Sequence, residues 1–157
     1  MTHAAIKAQC LCGAVELSAV PENDEAGVCH CSMCQRWAGG ISILRTCSEL
    51  VVVKGDALGI YESSEWGERG FCRNCGSSLF WRAKEGGHSS VSASAFENYD
   101  GLRLTSEIFY DRKPAFYALA NDTKKMTEAE TIAFFTGAGA GDANEGSAQH
   151  GKDHDHG

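Results

Sequence analysis

No apolar run in this 157-residue chain approaches the roughly 18–20 residues that a membrane-spanning helix requires, so no membrane partner is expected. A basic excess is missing too. Lys and Arg number 14 against 21 Asp and Glu, for a net charge of −7. A general nucleic-acid binder carries a basic surface, so nucleic acid is excluded as a partner, although a local basic pocket for a small anion stays compatible with the composition. Met1 to Gln9 has neither a basic region nor an apolar core, so no secretory signal is expected there and the expected compartment is the cytoplasm. Internal repeats are absent. Large apolar residues are absent from Gly137 onward, where Gly, Ala, Asp and His dominate; such a stretch cannot bury enough surface to offset chain entropy. Residues 137–157 are therefore expected to form a disordered Gly/Asp/His-rich tail.

The rest of the chain has an ordinary apolar content and reads as strands. Ala14 to Val20 alternates, with Val15 and Leu17 on one face and Glu16 and Ser18 on the other. Ile41 to Leu44, Leu50 to Val53, Leu58 to Tyr61, Ser78 to Trp81, His88 to Phe96 and Glu107 to Tyr110 are short β-prone runs, and glycine-containing turns fall between several of them. Short helices are expected only around Ser32 to Ala38 and Thr127 to Phe135. Phe116, Tyr117, Phe134 and Phe135 lead us to expect that the segment after Pro114 packs on the domain. The fold class expected is mainly β.

Cysteine is what the chain has in excess, with eight residues. In a reducing compartment, many cysteines favour metal or redox use over a disulfide framework. Seven fall into three tight groups: Cys10-Leu11-Cys12-Gly13, Cys29-His30-Cys31-Ser32-Met33-Cys34, and Cys72-Arg73-Asn74-Cys75-Gly76. Zinc takes sulfurs at about 2.3 Å in a tetrahedron, and two cysteines two or three residues apart on a tight turn can aim both sulfurs at one point. A glycine just after the pair permits the dihedrals this needs, and Gly13 and Gly76 stand there.

Two pairs make one complete set of four, Cys10, Cys12, Cys72 and Cys75, which would staple two hairpins far apart in sequence. The triplet Cys29, Cys31 and Cys34 then offers three ligands to a second ion and leaves one position open, as reactive sites do. A rival partition joins Cys72 and Cys75 to two triplet cysteines; it makes one site and leaves three thiols over. Spacing alone also admits an iron–sulfur cluster. A thioredoxin-like role for Cys72 and Cys75 lacks the βαβ context it needs. Cys47 stands alone, as a free thiol or as a fourth ligand for the triplet. His30 is expected to point away from the metal, and His88 reads as a surface residue.

Three thiolates on one divalent ion leave a net charge of about −1, which makes a poor Lewis acid but a good place to hold one more thiol as thiolate. The chemistry indicated by the ligands alone is thiol activation.

Taken together, the strings Cys10-Leu11-Cys12-Gly13-Ala14-Val15, Cys29-His30-Cys31-Ser32-Met33-Cys34-Gln35-Arg36-Trp37 and Phe71-Cys72-Arg73-Asn74-Cys75-Gly76-Ser77 resemble the glutathione-dependent formaldehyde-activating enzyme family, which also includes centromere protein V. Ile108 to Pro114 resembles the family's terminal strand and turn. The resemblance implies a β-tent of antiparallel sheets over residues 5–120, with residues 121–136 as a C-terminal extension packed on it. It implies two zinc ions per chain, a structural one at Cys10, Cys12, Cys72 and Cys75 and a catalytic one at Cys29, Cys31 and Cys34. The implied activity is that of a carbon–sulfur lyase joining glutathione and formaldehyde into S-(hydroxymethyl)glutathione; a zinc-stabilised protein-binding module of the same fold is the alternative. The expected partners are a glutathione-like thiol and a small electrophile. Because glutathione carries two carboxylates, Arg36 and then Arg45 are the candidate cations, with Trp37, Gly39 and Gly40 as candidate pocket walls.

Overall fold

The computed structural model describes residues 3–137. In chain order its elements are β1 (Ile6–Gln9), β2 (Glu16–Pro21), β3 (Glu25–Cys29), α1 (Ser32–Ala38), β4 (Ile43–Lys54), β5 (Leu58–Tyr61), β6 (Gly67–Cys72), β7 (Ser78–Ala83), β8 (Ser89–Ser92), β9 (Arg103–Ile108), β10 (Lys124–Lys125) and α2 (Glu128–Thr136). The fold is mainly β, as the alternating runs indicate. None of the helices among the described residues is long and apolar enough to cross a membrane. The chain divides into two compact units: one comprises the residues up to Ala26 together with Ile43–Arg103, the other Gly27–Ser42 together with the residues from Leu104 onward.

In the first unit all strand pairings are antiparallel. β1 pairs with β2, β2 with β4, β4 with β8, β8 with β7, β7 with β6, and β6 with β5. The long β4 changes partner along its length. Leu44–Cys47 lie against β8, and Cys47–Lys54 lie against β2. Two separate strands, Ile41 to Leu44 and Leu50 to Val53, are expected from the sequence; the structure joins them into one. The polar stretch Thr46-Cys47-Ser48-Glu49 that seems to divide them is the place where β4 passes from one neighbour to the other. The core of this unit is built from small residues, among them Ala8, Cys10, Val15, Leu17, Ala19, Cys47, Cys72 and Val91, closed by Leu79, Phe80 and Phe96.

β6 was not legible as a strand because Gly-Glu-Arg-Gly-Phe-Cys reads as punctuation. The glycines have a steric reason. Gly70 lies opposite Phe80, and Gly59 opposite Phe71. A Cβ added at Gly70 would collide with the Phe80 ring, one added at Gly59 with the Phe71 ring, and one added at Gly67 with the Trp81 indole. Each aromatic ring covers a glycine on the neighbouring strand, so large rings pack flat where a side chain would hold them off.

The second unit holds the end of β3, α1, β9, β10 and α2. β9 lies between β3 and β10. β10 pairs with β9 in parallel, Lys124 opposite Ser106 and Lys125 opposite Glu107, which departs from the purely antiparallel expectation. The α1 span agrees with the expected helix, and Gly39 at φ 73 ends it. α2 starts at a reciprocal cap in which Thr127 Oγ1 accepts from Glu130 N at 3.2 Å and Glu130 Oε1 accepts from Thr127 N at 2.9 Å. Of the aromatics of this region Tyr117 packs, half-buried against His30, and the three phenylalanines do not. Phe116 is 86% exposed and Phe134 and Phe135 are exposed too, while Thr131 and Ile132 are the buried residues of α2. The expected tail lies outside the described residues, apart from Gly137, which caps α2. His88 to Phe96 is strand only over β8, and a 3-10 turn over Ala93–Ala95 follows it.

Replacing Gly70 with Ala is expected to cost about 1–3 kcal/mol of stability, because the Phe80 ring at 1% exposure has nowhere to move. Thermal or urea unfolding of the metal-loaded protein measures this; an unchanged midpoint would contradict the proposed fit of ring over glycine.

Candidate metal centres

Cys10 and Cys12 lie in the loop joining β1 to β2, and Cys72 and Cys75 lie at the end of β6 and in its turn toward β7. Both loops close on a left-handed glycine, although the turns differ in length. Gly13 N donates to Cys10 O at 3.2 Å and Gly76 N to Cys72 O at 2.8 Å, with both glycines left-handed, at φ 80 and 78. These are the positions where glycine was expected, and a Cβ there would strain the turn. The four sulfurs lie within 4.8 Å of one another. Cys10 Sγ is 3.6 Å from Cys12 Sγ, and Cys12 Sγ is 3.7 Å from Cys72 Sγ across 60 residues. A tetrahedron with sulfurs at about 2.3 Å from zinc has edges of ~3.8 Å, so the spacing suits that ion. The rival partition of the cysteines is not the one the structure forms.

Ser77, which the sequence reading passed over, joins the two loops. Its hydroxyl accepts from Leu11 N at 3.0 Å and lies 3.2 Å from Cys75 Sγ. Hydrogen bonds from the Ser77 hydroxyl and amide pull the Cys75 thiol down to about 5. Val15 N donates to Cys10 Sγ at 3.2 Å. A cleft of about 630 Å³ opens beside Cys12 and is bordered by Lys54 and Arg73, two cations next to a cluster that is anionic when ionised.

The triplet is built differently. Cys29 ends β3, Cys31 is the N-cap of α1, and Cys34 stands in the first turn of that helix. Cys31 Sγ takes the capping role usually filled by Ser or Asp and accepts from Cys34 N at 3.4 Å. The three sulfurs also lie within 4.8 Å of one another, and all three residues are buried. Among the described residues no fourth Cys, His, Asp or Glu joins the group. Hydrogen bonding with Cys31 and Cys34, together with burial, pushes the Cys29 thiol well above its ordinary range. The Cys29 thiol lowers that of Cys31, but Cys34 and burial outweigh it and raise Cys31 to about 12. Three thiols packed this tightly resist joint ionisation unless a cation shares the charge, which is the donor chemistry of a metal site.

His30, between Cys29 and Cys31, points away from the thiols into a buried polar network. It is 1% exposed, and its Nε2 is 2.8 Å from Glu107 Oε1. Glu107 was not among the candidates drawn from sequence. A lone acid inside the apolar run Glu107 to Tyr110 was the available signal. Cys47 belongs to neither sulfur group; it is buried and its Sγ donates to Arg45 O at 3.5 Å. His88 stacks edge-on against Trp81.

Of the candidate substrate contacts, Arg36 stands exposed in the last turn of α1, and Trp37 beside it is half-buried. Gly39 and Gly40 follow, both exposed. Arg45 is 3% exposed and committed elsewhere: its guanidinium donates to Asn23 O at 3.1 Å and to Asp24 Oδ1 at 3.2 Å and lies over the Phe96 ring. Those contacts neutralise and enclose the charge, so Arg45 has a structural use that sequence could not reveal.

Residues 5–112 match the family described as glutathione-dependent formaldehyde-activating enzyme. An uncharacterised lyase of Schizosaccharomyces pombe (strain 972) is 30% identical over 125 residues, covering 78% of this chain and 91% of that protein. A crystal structure of a Rhodobacter sphaeroides protein, solved in a structural genomics programme, is similar at 29% identity with a TM-score of 0.50, covering 59% of this chain and 89% of that one. The chain belongs to the glutathione-dependent formaldehyde-activating enzyme family.

Proposed function

We propose that the protein is a zinc-dependent carbon–sulfur lyase that activates a glutathione-like thiol for addition to a small aldehyde such as formaldehyde. The observation carrying this reading is the unequal division of the sulfurs, four in one group and three in the other. Cys10, Cys12, Cys72 and Cys75 would hold a structural zinc and fill its tetrahedron. Cys29, Cys31 and Cys34 would hold a second zinc and leave one position free. An ion bound there supplies a place for one further sulfur and strips that thiol of its proton. The overall reaction forms one C–S bond, and the proton lost by the thiol ends on the former carbonyl oxygen.

The chain's own residues have the remaining tasks. Burial of the three cysteines keeps water from competing for their sulfurs. Arg36, exposed at the end of the helix that carries Cys34, is the cation for a substrate carboxylate, and Trp37 is a wall beside it. Family membership and the lyase name of the S. pombe relative support this class of reaction. Exposed Phe116, Phe134 and Phe135 favour a second reading, a zinc-stabilised protein-binding module, in which added glutathione leaves the metal unaffected.

Cys31→Ser is expected to lose one of two zinc ions per chain, keep a folded domain and lose adduct formation. Retention of both ions with full activity would sink the assignment. Cys72→Ser is expected to unfold the domain outright, visible as collapse of the β signal in circular dichroism. Acid should separate the sites as well. Every ligand sulfur has to give up its proton to bind an ion, so both sites release zinc as pH is lowered. The triplet offers three protein sulfurs against four and is expected to hold its ion less firmly, so zinc release followed by a chromogenic chelator should show the triplet emptying first.

A further inference from the structure

Two C-x-C pairs occur in this chain, and the residue between the cysteines is treated in opposite ways. Leu11, between Cys10 and Cys12, is 86% exposed. His30, between Cys29 and Cys31, is 1% exposed and bonded through all four of its polar atoms. Its amide N donates to Ile108 O at 3.0 Å. Its carbonyl O accepts from Gln35 Nε2 at 2.6 Å, and the same amide group reaches Arg112 O at 3.1 Å. Nε2 meets Glu107 Oε1 at 2.8 Å, and Nδ1 lies 3.3 Å from the Tyr117 hydroxyl.

The far end of this network is anchored as well. Glu107 is 1% exposed, and its second oxygen accepts from Thr123 Oγ1 at 2.5 Å, with Lys125 Nζ at 3.7 Å. Burial alone would raise its carboxyl, but the bonds from Thr123 and His30 and the charge of Lys125 outweigh that and lower it. Phe109, buried at φ 54, makes the turn immediately after this strand and is held by Thr131 Oγ1 at 3.3 Å from its amide. A left-handed Phe is costly and persists only where its surroundings fix it.

A four-sulfur site is set by its metal, since a filled tetrahedron defines every ligand. A three-sulfur site lacks that closure and is free to collapse onto the ion or to recruit a stray ligand. We propose that Glu107, His30 and Tyr117 form a clamp that presets the Cys29–Cys31 turn, so that an ion held by the three thiols keeps its fourth position available. The proposal rests on the thiol-activation reading above and makes Glu107 a positioning residue. It acts through His30 and does not touch the substrate. Partners that bond metal ligands directly are commonly worth 10–100-fold in metal affinity; Glu107 reaches Cys29 and Cys31 through the intervening His30, and the same range is the one expected.

The test uses the full chain loaded with cobalt in place of zinc, whose visible bands report ligand geometry. A chelator series reads the two release steps. In Glu107→Ala the easier step, assigned to the triplet through Cys31→Ser, is expected to shift by 10–100-fold with altered bands, while the other step stays put. Glu107→Gln keeps an oxygen facing His30 and is expected to restore most of the affinity; Tyr117→Phe removes one hydroxyl and should give a smaller shift in the same direction. Leu11→Ala should move neither step. If Glu107→Ala does not fold, Tyr117→Phe decides the matter. Release steps and bands that match the parent protein in the folded variants overturn the clamp. Glutathione is then added to the cobalt-loaded parent. Failure of its bands to respond removes the thiol-binding reading, and the chelator result on the clamp stands independently.

Discussion

Four sulfurs meeting between two hairpin loops are the constraint on which the first unit depends. The strands that carry them are short, and the core they enclose is made largely of alanine, valine and cysteine. Such a core buries little apolar area per residue, so burial alone gives it a thin margin. Cys10 and Cys72 are members of that core as well as of the sulfur cluster. Bringing four thiols together without a cation opposes folding; sharing their charge with an ion favours it, which makes metal affinity part of the folding free energy. The paired glycine turns and the Ser77 bridge are the local means by which the backbone accepts this arrangement.

The triplet answers to a different constraint. Its cysteines come from one strand end and the first turn of one short helix, within six residues of chain, and they need no distant partner to converge. What they lack is a fourth protein ligand among the described residues. Charge distinguishes the two groups. Four thiolates on a divalent ion leave about −2, a closed and unreactive unit; three leave about −1, with room for one more sulfur. Under the proposed function the same amino acid would serve for stapling in one place and for chemistry in the other, with the count of ligands separating the roles.

Much of this was visible in the sequence for a physical reason. Metal-ligand spacing is a short-range property, fixed by the reach of two side chains on one turn, so the cysteine groups and the glycines behind them could be read directly. The span of α1 was legible too; in the structure Cys31 caps its start and Gly39 ends it. Where neighbours are distant in sequence, legibility failed. β4 looked like two strands because its change of partner falls on polar residues. β6 looked like a loop because its glycines take their meaning from aromatic rings on the adjoining strands. Glu107 and His30 are 77 residues apart, and nothing local to either announces the bond between them.

The two arginines show how burial sorts candidates that sequence ranks together. A cation that receives a substrate carboxylate has to be reachable and must retain donors for it. Arg45 meets neither condition: it is enclosed, and Asp24 already balances its charge. Extracting it would break its bonds to Asn23 O and Asp24 and uncover the Phe96 ring it lies over. Arg36 is solvent-facing on the second turn of the helix whose first turn supplies Cys34. Under the proposed function its guanidinium would offer a planar fork to a substrate carboxylate, at a distance from the sulfurs set by the helix. Selection among small thiols would then depend on the distance between a thiol and its own carboxylate, a ruler carried by the substrate and read by one turn of helix.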